Sequence, residues 1–257
     1  MPQQARAMSD ALFDRVRSDI LALDLVPDTP LRLPMLSERY GVSLTPLREC
    51  LNKLCGDQLV VPEHNKGFRV APLARADLLD LESSRNAIDG AMFVNACQSG
   101  DDAWEAGVVG AFHHLSQTPV PSVLLDDAEL STWTRRHKAF HTALIAGLPS
   151  GWMHRFSQQL EDQLGRYHLF IQIGLRDLAQ TSQSVANQAA DIFATSMALE
   201  PHRRLYDAAL GRDPKAAQQA FDDHTGLSIA AFEDLLELLP KNIPLVKVLG
   251  THAEMTL

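Results

Sequence analysis

The sequence predicts a mainly α-helical protein whose strand signals are confined to the N-terminal quarter. Apolar residues recur at helical spacing along most of the chain. Two short β-prone runs flank the turn-rich segment EHNKG, and no further strand pattern follows after about residue 75. With 46% apolar and 21% charged residues among 257, the composition is that of an ordinary globular protein.

The first helix is predicted over residues 9–24. Leu12, Val16 and Ile20 recur every four residues and so share one face, and Ser9 is placed to begin the helix. The segment LVPDTPLRL follows, in which two prolines end the helix and lead into a short extended segment.

Two short helices joined by a tight turn are predicted next. Pro34 can open a helix that runs to about Tyr40, where Gly41 stops it, and Ser43 or Thr45 can cap the second helix. The apolar stripe of that second helix comprises Leu47, Cys50, Leu51 and Leu54. This is a helix-turn-helix arrangement, and the β-hairpin predicted for LVVPEHNKGFRVAPL would form a wing beside it.

The rest of the chain is helical by pattern and predicts an all-α antiparallel bundle. The segment VAPLARAD, near residues 70–77, marks the expected boundary. We therefore predict a winged helix-turn-helix domain over residues 1–75, a helical domain over 76–240 and a C-terminal tail over 241–257.

Charge is unevenly distributed between these parts. Residues 1–75 hold ten Lys and Arg against nine Asp and Glu, whereas the whole chain carries a net charge of −9. Because an acidic surface repels a polyanion, contact with nucleic acid would have to come from the N-terminal part.

The sequence favours a cytoplasmic location. It shows neither a signal-peptide pattern nor an apolar run of membrane-spanning length, so we expect no membrane partner. Cys50, Cys55 and Cys97 are an odd number of cysteines without metal-type pairing, and we interpret them as reduced thiols.

Two histidines in RRHKAFHTALIAG, residues 135–147, are the first candidate ligands. His137 and His141 are four residues apart in a predicted helix, which places both imidazoles on one face, where they can reach the same metal ion.

The N-terminal features resemble the winged helix-turn-helix of the GntR family of bacterial transcription regulators. The resemblance rests on the spaced motifs LSERYGVS and TPLRE and on the glycine of the hairpin turn. It implies that Ser43, Thr45 and Arg48 contact DNA phosphates and bases in the major groove, with Lys66 and Arg69 serving the wing.

Two positions depart from the family pattern. Leu44 stands where the family usually has arginine, and Asp28 stands where it usually has glycine. Loss of the arginine removes one DNA contact, so we expect either a different operator or weaker binding.

The helical part resembles the ligand-sensing FCD domain of the FadR-type branch of that family. The resemblance identifies His137, His141, His202 and His224 as metal ligands, with His137 in the place of the family's aspartate. Gly211 as a helix stop and Asp213 as a cap predict a helical hairpin around them. His202 then lies about 13 Å and His224 about 16 Å from the turn, nearly the same height.

The expected cofactor is a divalent first-row metal ion, zinc or nickel first, because nitrogen-rich sites suit such ions. Arg85 matches an arginine of the family's first bundle helix, with Asp89 in the place of a glutamate. Arg85, together with Arg166, is expected to hold a small carboxylate effector.

The preferred hypothesis is a ligand-responsive DNA-binding regulator that acts as a homodimer on palindromic double-stranded operator DNA. A second hypothesis is a metal-responsive regulator in which the ion itself is the signal. A metal-dependent enzyme is the third, and we disfavour it because neither an HExxH motif, an ExxH pair nor a nucleophile elbow is present.

Overall fold

The computed structural model describes residues 2–64, 66–120 and 127–239. The helices in this part of the chain are α1 (Pro2–Leu21), α2 (Leu33–Tyr40), α3 (Leu44–Gly56), α4 (Arg75–Ser99), α5 (Asp102–Ser116), α6 (Asp127–Ile145), α7 (Gly151–Ala179), α8 (Gln183–Ser196), α9 (Leu199–Leu210) and α10 (Pro214–Leu238). The strands are β1 (Pro30–Leu31), β2 (Val60–Glu63) and β3 (Gly67–Val70). Across the described ranges, no helix combines the length and apolar character needed to cross a membrane. The predicted tail over 241–257 lies outside the described residues.

The chain divides into two compact units. The first contains the residues up to Leu78 together with Asp162–Phe170 from the middle of α7. The second contains Leu79–Glu161 and the described residues from Ile171 onward. Each unit has its own buried apolar cluster.

The first unit confirms the predicted helical faces. Leu12, Val16 and Ile20 are all buried, because they point from α1 into the same core as the stripe of α3. The helix α1 begins at Pro2, seven residues earlier than predicted, and ends three residues earlier, at Leu21. The glutamines and alanines before Ser9 are good helix formers, which explains the extension.

The turn between α2 and α3 depends on a glycine. Gly41 has φ +67°, a left-handed conformation that glycine adopts without steric cost, and its N–H donates to Ser37 O at 2.9 Å. The predicted hairpin is β2 and β3, paired antiparallel with Val60 opposite Val70. The short segment β1 adds a third strand, giving the sheet order β1-β3-β2.

Part of α7 belongs to the first unit. The guanidinium of Arg166, only 1% exposed, donates to Ala71 O at 2.6 Å and to Gln163 Oε1 at 2.9 Å. The hydroxyl oxygen of Tyr167 accepts from Ala74 N at 3.0 Å. Burial lowers the pKa of Arg166 to about 10. These side chains hold the segment that follows the wing.

The second unit is a helical bundle around Phe93, Phe140 and Phe221. Its last two helices, α9 and α10, form the predicted hairpin, and Asp213 caps α10 by accepting from Lys215 N and Ala216 N. The left-handed residue of the turn is Arg212, with φ +51°, rather than the glycine before it. The segment between α7 and α9 forms the helix α8 (Gln183–Ser196).

Candidate metal centre

The helix α6 supplies two of the four histidines. His137 and His141 are one helical turn apart, and their Nε2 atoms lie 3.1 Å from each other. His141 is buried at 9% exposure, and His137 is half-buried. The spacing seen in the sequence therefore places two ring nitrogens close enough to share one ion.

The α9–α10 hairpin supplies the other two. The rings of His202 and His224 lie with their centroids 4.8 Å apart, as expected for two residues at the same height of the hairpin. All four histidines offer a ligand nitrogen within 4.8 Å of the others. The structure thus brings together the whole set predicted as metal ligands.

Unsatisfied nitrogen atoms show that this set fits a metal ion. Among the described residues, His141 Nδ1, His202 Nε2 and His224 Nδ1 are buried without a hydrogen-bond partner. Burying a polar atom without a partner is costly, and a bound ion would remove that cost. The other nitrogen of His202, Nδ1, lies 2.8 Å from Ala198 O and donates to it. This contact fixes the tautomer with a lone pair on Nε2, the usual arrangement for a metal-binding imidazole.

His141, His202 and His224 are neutral at physiological pH. Burial lowers the pKa of His202 to about 4, and burial together with neighbouring positive charge lowers the pKa of His141 and His224 well below the ordinary value. Neutral imidazole is the form that binds metal ions.

Trp133 is a neighbour of the site that the sequence analysis missed. Its ring stacks on His137, with centroids 4.5 Å apart and planes 16° from parallel. Trp133 precedes His137 by four residues on α6, so the same helical spacing that identified His141 could have identified it.

Arg85 carries a positive charge that contributes to lowering the pKa of His141, His202 and His224. Two buried carboxyl groups of the same helix flank it. Arg85 Nε is 3.6 Å from Asp89 Oδ2, and Arg85 Nη1 is 3.9 Å from Glu82 Oε2. Burial raises the pKa of both acids. Glu82 was not predicted, although its position one turn before Arg85 was a usable signal.

Arg166, the other predicted effector residue, belongs to the first compact unit. Its guanidinium is bound there to a backbone carbonyl and to a glutamine side chain, as described above. Arg85 and the four histidines belong to the second compact unit, whereas Arg166 belongs to the first.

The residues predicted to contact major-groove DNA lie around the start of α3. Ser43 is the N-cap residue, and its hydroxyl makes no capping hydrogen bond. Ser43, Thr45 and Arg48 are exposed, and Leu44 beside them is 44% exposed. These side chains form one accessible surface.

The two predicted wing residues differ in their surroundings. Lys66 is exposed. Arg69 is held by carboxylates, with Nη2 2.9 Å from Glu63 Oε1 and Nη1 3.3 Å from Asp28 Oδ1, and it also donates to the backbone carbonyl of Asp28. Asp28 has φ +65°, a conformation that explains why glycine is usual at this position.

Comparison with known families agrees with this two-part organisation. The family described as "Bacterial regulatory proteins, gntR family" matches residues 8–70, and the FCD domain family matches residues 80–227. The HTH-type transcriptional repressor GlaR of Escherichia coli (strain K12) is 30% identical over 209 residues, which span 81% of this chain and 88% of GlaR. The chain belongs to the GntR family.

Further relatives of this GntR-family protein support the same conclusion. The HTH-type transcriptional regulator BphR of Paraburkholderia xenovorans (strain LB400) is 30% identical over 232 residues, covering 88% of this chain and 85% of BphR. The crystal structure of a GntR regulator from Rhodococcus sp. RHA1 shares the fold, with a TM-score of 0.63 and 18% identity over 88% of this chain and 98% of that one.

The GntR-family protein is therefore a transcription regulator with an N-terminal DNA-binding domain and an FCD ligand-binding domain, and it is not an enzyme. FCD domains often bind metal ions.

Proposed function

We propose that this regulator senses a small organic acid at a metal ion held by His137, His141, His202 and His224. The observation that carries the proposal is the convergence of four ligand nitrogens, three of them on buried rings that each have a nitrogen without a hydrogen-bond partner. A bound divalent ion would act as a Lewis acid that attracts the effector's carboxylate.

The charge of the site favours an anionic effector. Neutral imidazoles would leave the full charge of the ion uncompensated, whereas an aspartate at position 137 would cancel part of it. Zinc and nickel are the ions that suit this nitrogen-rich set best.

Arg85 would hold the effector at a second point. Its side chain is 15% exposed, and its ion-pair distances to Glu82 and Asp89 are longer than those of direct hydrogen bonds. A carboxylate could therefore gain hydrogen bonds from the guanidinium while its other end contacts the ion.

The exposed surface of α3 would contact DNA. We propose that Ser43, Thr45 and Arg48 contact the major groove, with Arg48 reading a guanine edge, and that Lys66 contacts the backbone from the wing. A cytoplasmic homodimer would present two such surfaces to a palindromic operator.

One observation favours a second candidate, in which the ion itself is the signal. The ligand set has a histidine in the place of the family's aspartate, so every protein ligand is neutral. Such a site retains affinity for the ion without help from an acid.

A DNA-binding assay separates the two candidates. The operator would be selected from random duplexes by the purified protein, and binding would be followed by fluorescence anisotropy with chelated protein, with zinc alone and with zinc plus succinate or citrate. A change that requires the acid supports the organic-acid proposal. A full change with zinc alone supports the metal-responsive candidate.

Two variants complete the design. His141→Ala should abolish either response, and His113→Ala, which removes an exposed histidine of α5, should leave it intact. A response that survives His141→Ala would show that the histidine cluster is not the sensor.

A further inference from the structure

We propose that the effector carries a short apolar substituent that enters a cavity beside His202, and that Trp133 sets the permitted size of this group. This inference rests on the proposed function, because it assumes that the acid binds at the histidine site.

The cavity has a volume of about 30 Å³ and touches the histidine cluster directly. His202, whose Nε2 is one of the buried nitrogens without a partner, forms part of its wall. Most of the remaining wall residues are apolar, and they come from the end of α5 and the residues just after it, from α6 and from the α8–α9 connection. These apolar residues are Leu115, Val120, Trp133, Met197 and Leu199.

The two hydroxyl groups in the wall are already engaged. Ser116 Oγ donates to His113 O at 2.8 Å. Thr118 Oγ1 donates to His114 O at 2.9 Å and accepts from Arg136 Nη1 at the same distance. A charged or strongly polar group in the cavity would therefore find these two hydroxyls already engaged, whereas an alkyl group needs no such partner.

Arg85 and the apolar wall of the cavity lie on different helices. Arg85 and its two carboxyl neighbours lie on α4, which contributes no residue to the cavity wall. An acid that places its carboxylate at the ion and toward Arg85 can thus direct its carbon chain to the other side. The site fits an amphipathic ligand better than a compact, fully polar one.

Trp133, like His202, joins the cavity to the ligand set. One part of its side chain lines the cavity, and its ring stacks on His137. Trp133 is itself 7% exposed, so the protein around it limits its movement. Its bulk therefore determines how long a substituent the cavity accepts.

The volume sets the expected length of that substituent. About 30 Å³ has room for roughly two groups the size of a water molecule or a methyl group. Each methylene group transferred from water to such a cavity should raise the affinity about fourfold.

The test is calorimetric titration of zinc-loaded full-length protein with acetate, propionate, butyrate, valerate and hexanoate. We expect affinity to rise about fourfold per carbon up to butyrate and then to level off or fall. Trp133→Ala should move this limit to longer acids, whereas Trp152→Ala, which removes an exposed tryptophan of α7, should not.

Two further variants separate an effect on the size of the cavity from an effect on zinc binding. Trp133→Phe keeps an aromatic ring against His137 and should shift the limit by a smaller amount than Trp133→Ala. Leu199→Phe leaves Trp133 in place and fills the cavity, so the acids should bind with nearly equal affinity. Zinc content is measured for every variant beside the titration.

Failure has two distinguishable forms. If wild-type protein binds all the acids equally, or binds acetate most tightly, the inference is wrong and the proposed function stands. If zinc-loaded protein binds none of them, both the inference and the organic-acid proposal fall.

Discussion

Arg69 and Asp28 form an ion pair within the winged unit, with Arg69 Nη1 3.3 Å from Asp28 Oδ1. Glu63 binds the same guanidinium from β2. An arginine expected to approach DNA from the wing is thus held by two carboxylates. The aspartate that holds it occupies the position where glycine is usual in the family.

Replacing Asp28 with glycine should strengthen DNA binding. The substitution removes one carboxylate from Arg69 and relieves the left-handed backbone conformation at φ +65°. We expect tighter binding to the selected operator, with a plot of log affinity against log salt concentration steeper by about one unit if Arg69 gains a phosphate contact. Anisotropy titrations between low and high salt measure both quantities.

Asp28→Asn separates charge from backbone strain in this prediction. Asparagine tolerates the left-handed conformation but carries no charge, so it should strengthen DNA binding as glycine does. If neither variant changes affinity or salt dependence, Arg69 does not contact DNA.

Metal content should follow the four histidines. Purified untagged protein should contain about one first-row ion per chain, and His141→Ala should lose it, because removal of one of four protein ligands sharply weakens the hold on the ion. His137→Asp should retain the ion, since a carboxylate is also a ligand for such metals. Elemental analysis after dialysis measures the content.

The matched control is His113→Ala, an exposed histidine outside the cluster, which should retain the ion. Wild-type protein that remains metal-free after incubation with zinc and with nickel would contradict the metal site, and the acid would then have to be held by Arg85 and imidazoles alone.

Arg166→Met should destabilise the first unit rather than alter effector binding. The variant keeps the aliphatic bulk but leaves the carbonyl of Ala71 and the amide of Gln163 without their buried donor. We expect a loss of about 3 kcal/mol in unfolding free energy. Scanning calorimetry measures it, with the exposed Arg48→Met as the control for removal of an arginine.

A second expectation for Arg166→Met concerns the acid titration. Because Arg166 lies in the first unit, acid affinity of the zinc-loaded variant should equal that of wild type. A selective loss of acid binding with unchanged stability would restore Arg166 to the effector site.

Metal-free protein should lose stability as the pH falls below about 6.5. The pKa of His202 is about 4 in the folded chain, against an ordinary value of 6.5. Between these two pH values the unfolded chain binds more protons than the folded chain, and this lowers the free energy of the unfolded state. His141 and His224 shift in the same direction. Each such histidine should contribute a slope of about 1.4 kcal/mol per pH unit in this window.

Urea unfolding of chelated protein at pH 7.5, 6.5, 5.5 and 5.0 measures this slope. His202→Gln should reduce it by one histidine's share, while His113→Gln serves as the exposed control. A flat profile across the window would show that the buried histidines are not neutral in the folded chain.

Local periodicity was sufficient to predict most of the helices, whereas the set of four histidines came from family resemblance. The four-residue repeat of Leu12, Val16 and Ile20 follows directly from burial of one helix face. Likewise, Gly211 and Asp213 locate the hairpin turn. Because His202 and His224 lie at similar distances from this turn along two antiparallel helices, the two residues are placed side by side.

Features that depend on distant partners could not be predicted in this way. Arg166 bonds to the carbonyl of Ala71, which lies 95 residues earlier in the chain, and no local pattern reports such a contact. The contacts between Arg69 and Asp28 also depend on a distant partner, because a loop must fold against β3 to bring Asp28 to the arginine. Family resemblance identified Arg69 by position, but only tertiary structure shows which acceptors each of the two arginines has.

The histidine at position 137 has a consequence for how the binding of the ion and the binding of the acid would depend on each other. With no acidic ligand, a bound cation and a bound acid would each lower the free energy of the other's binding, and this coupling is reciprocal by thermodynamic necessity. Availability of the ion would then tune sensitivity to the acid, and the acid would help the chain compete for scarce ion. The regulator would behave as a coincidence detector that reports the two signals jointly.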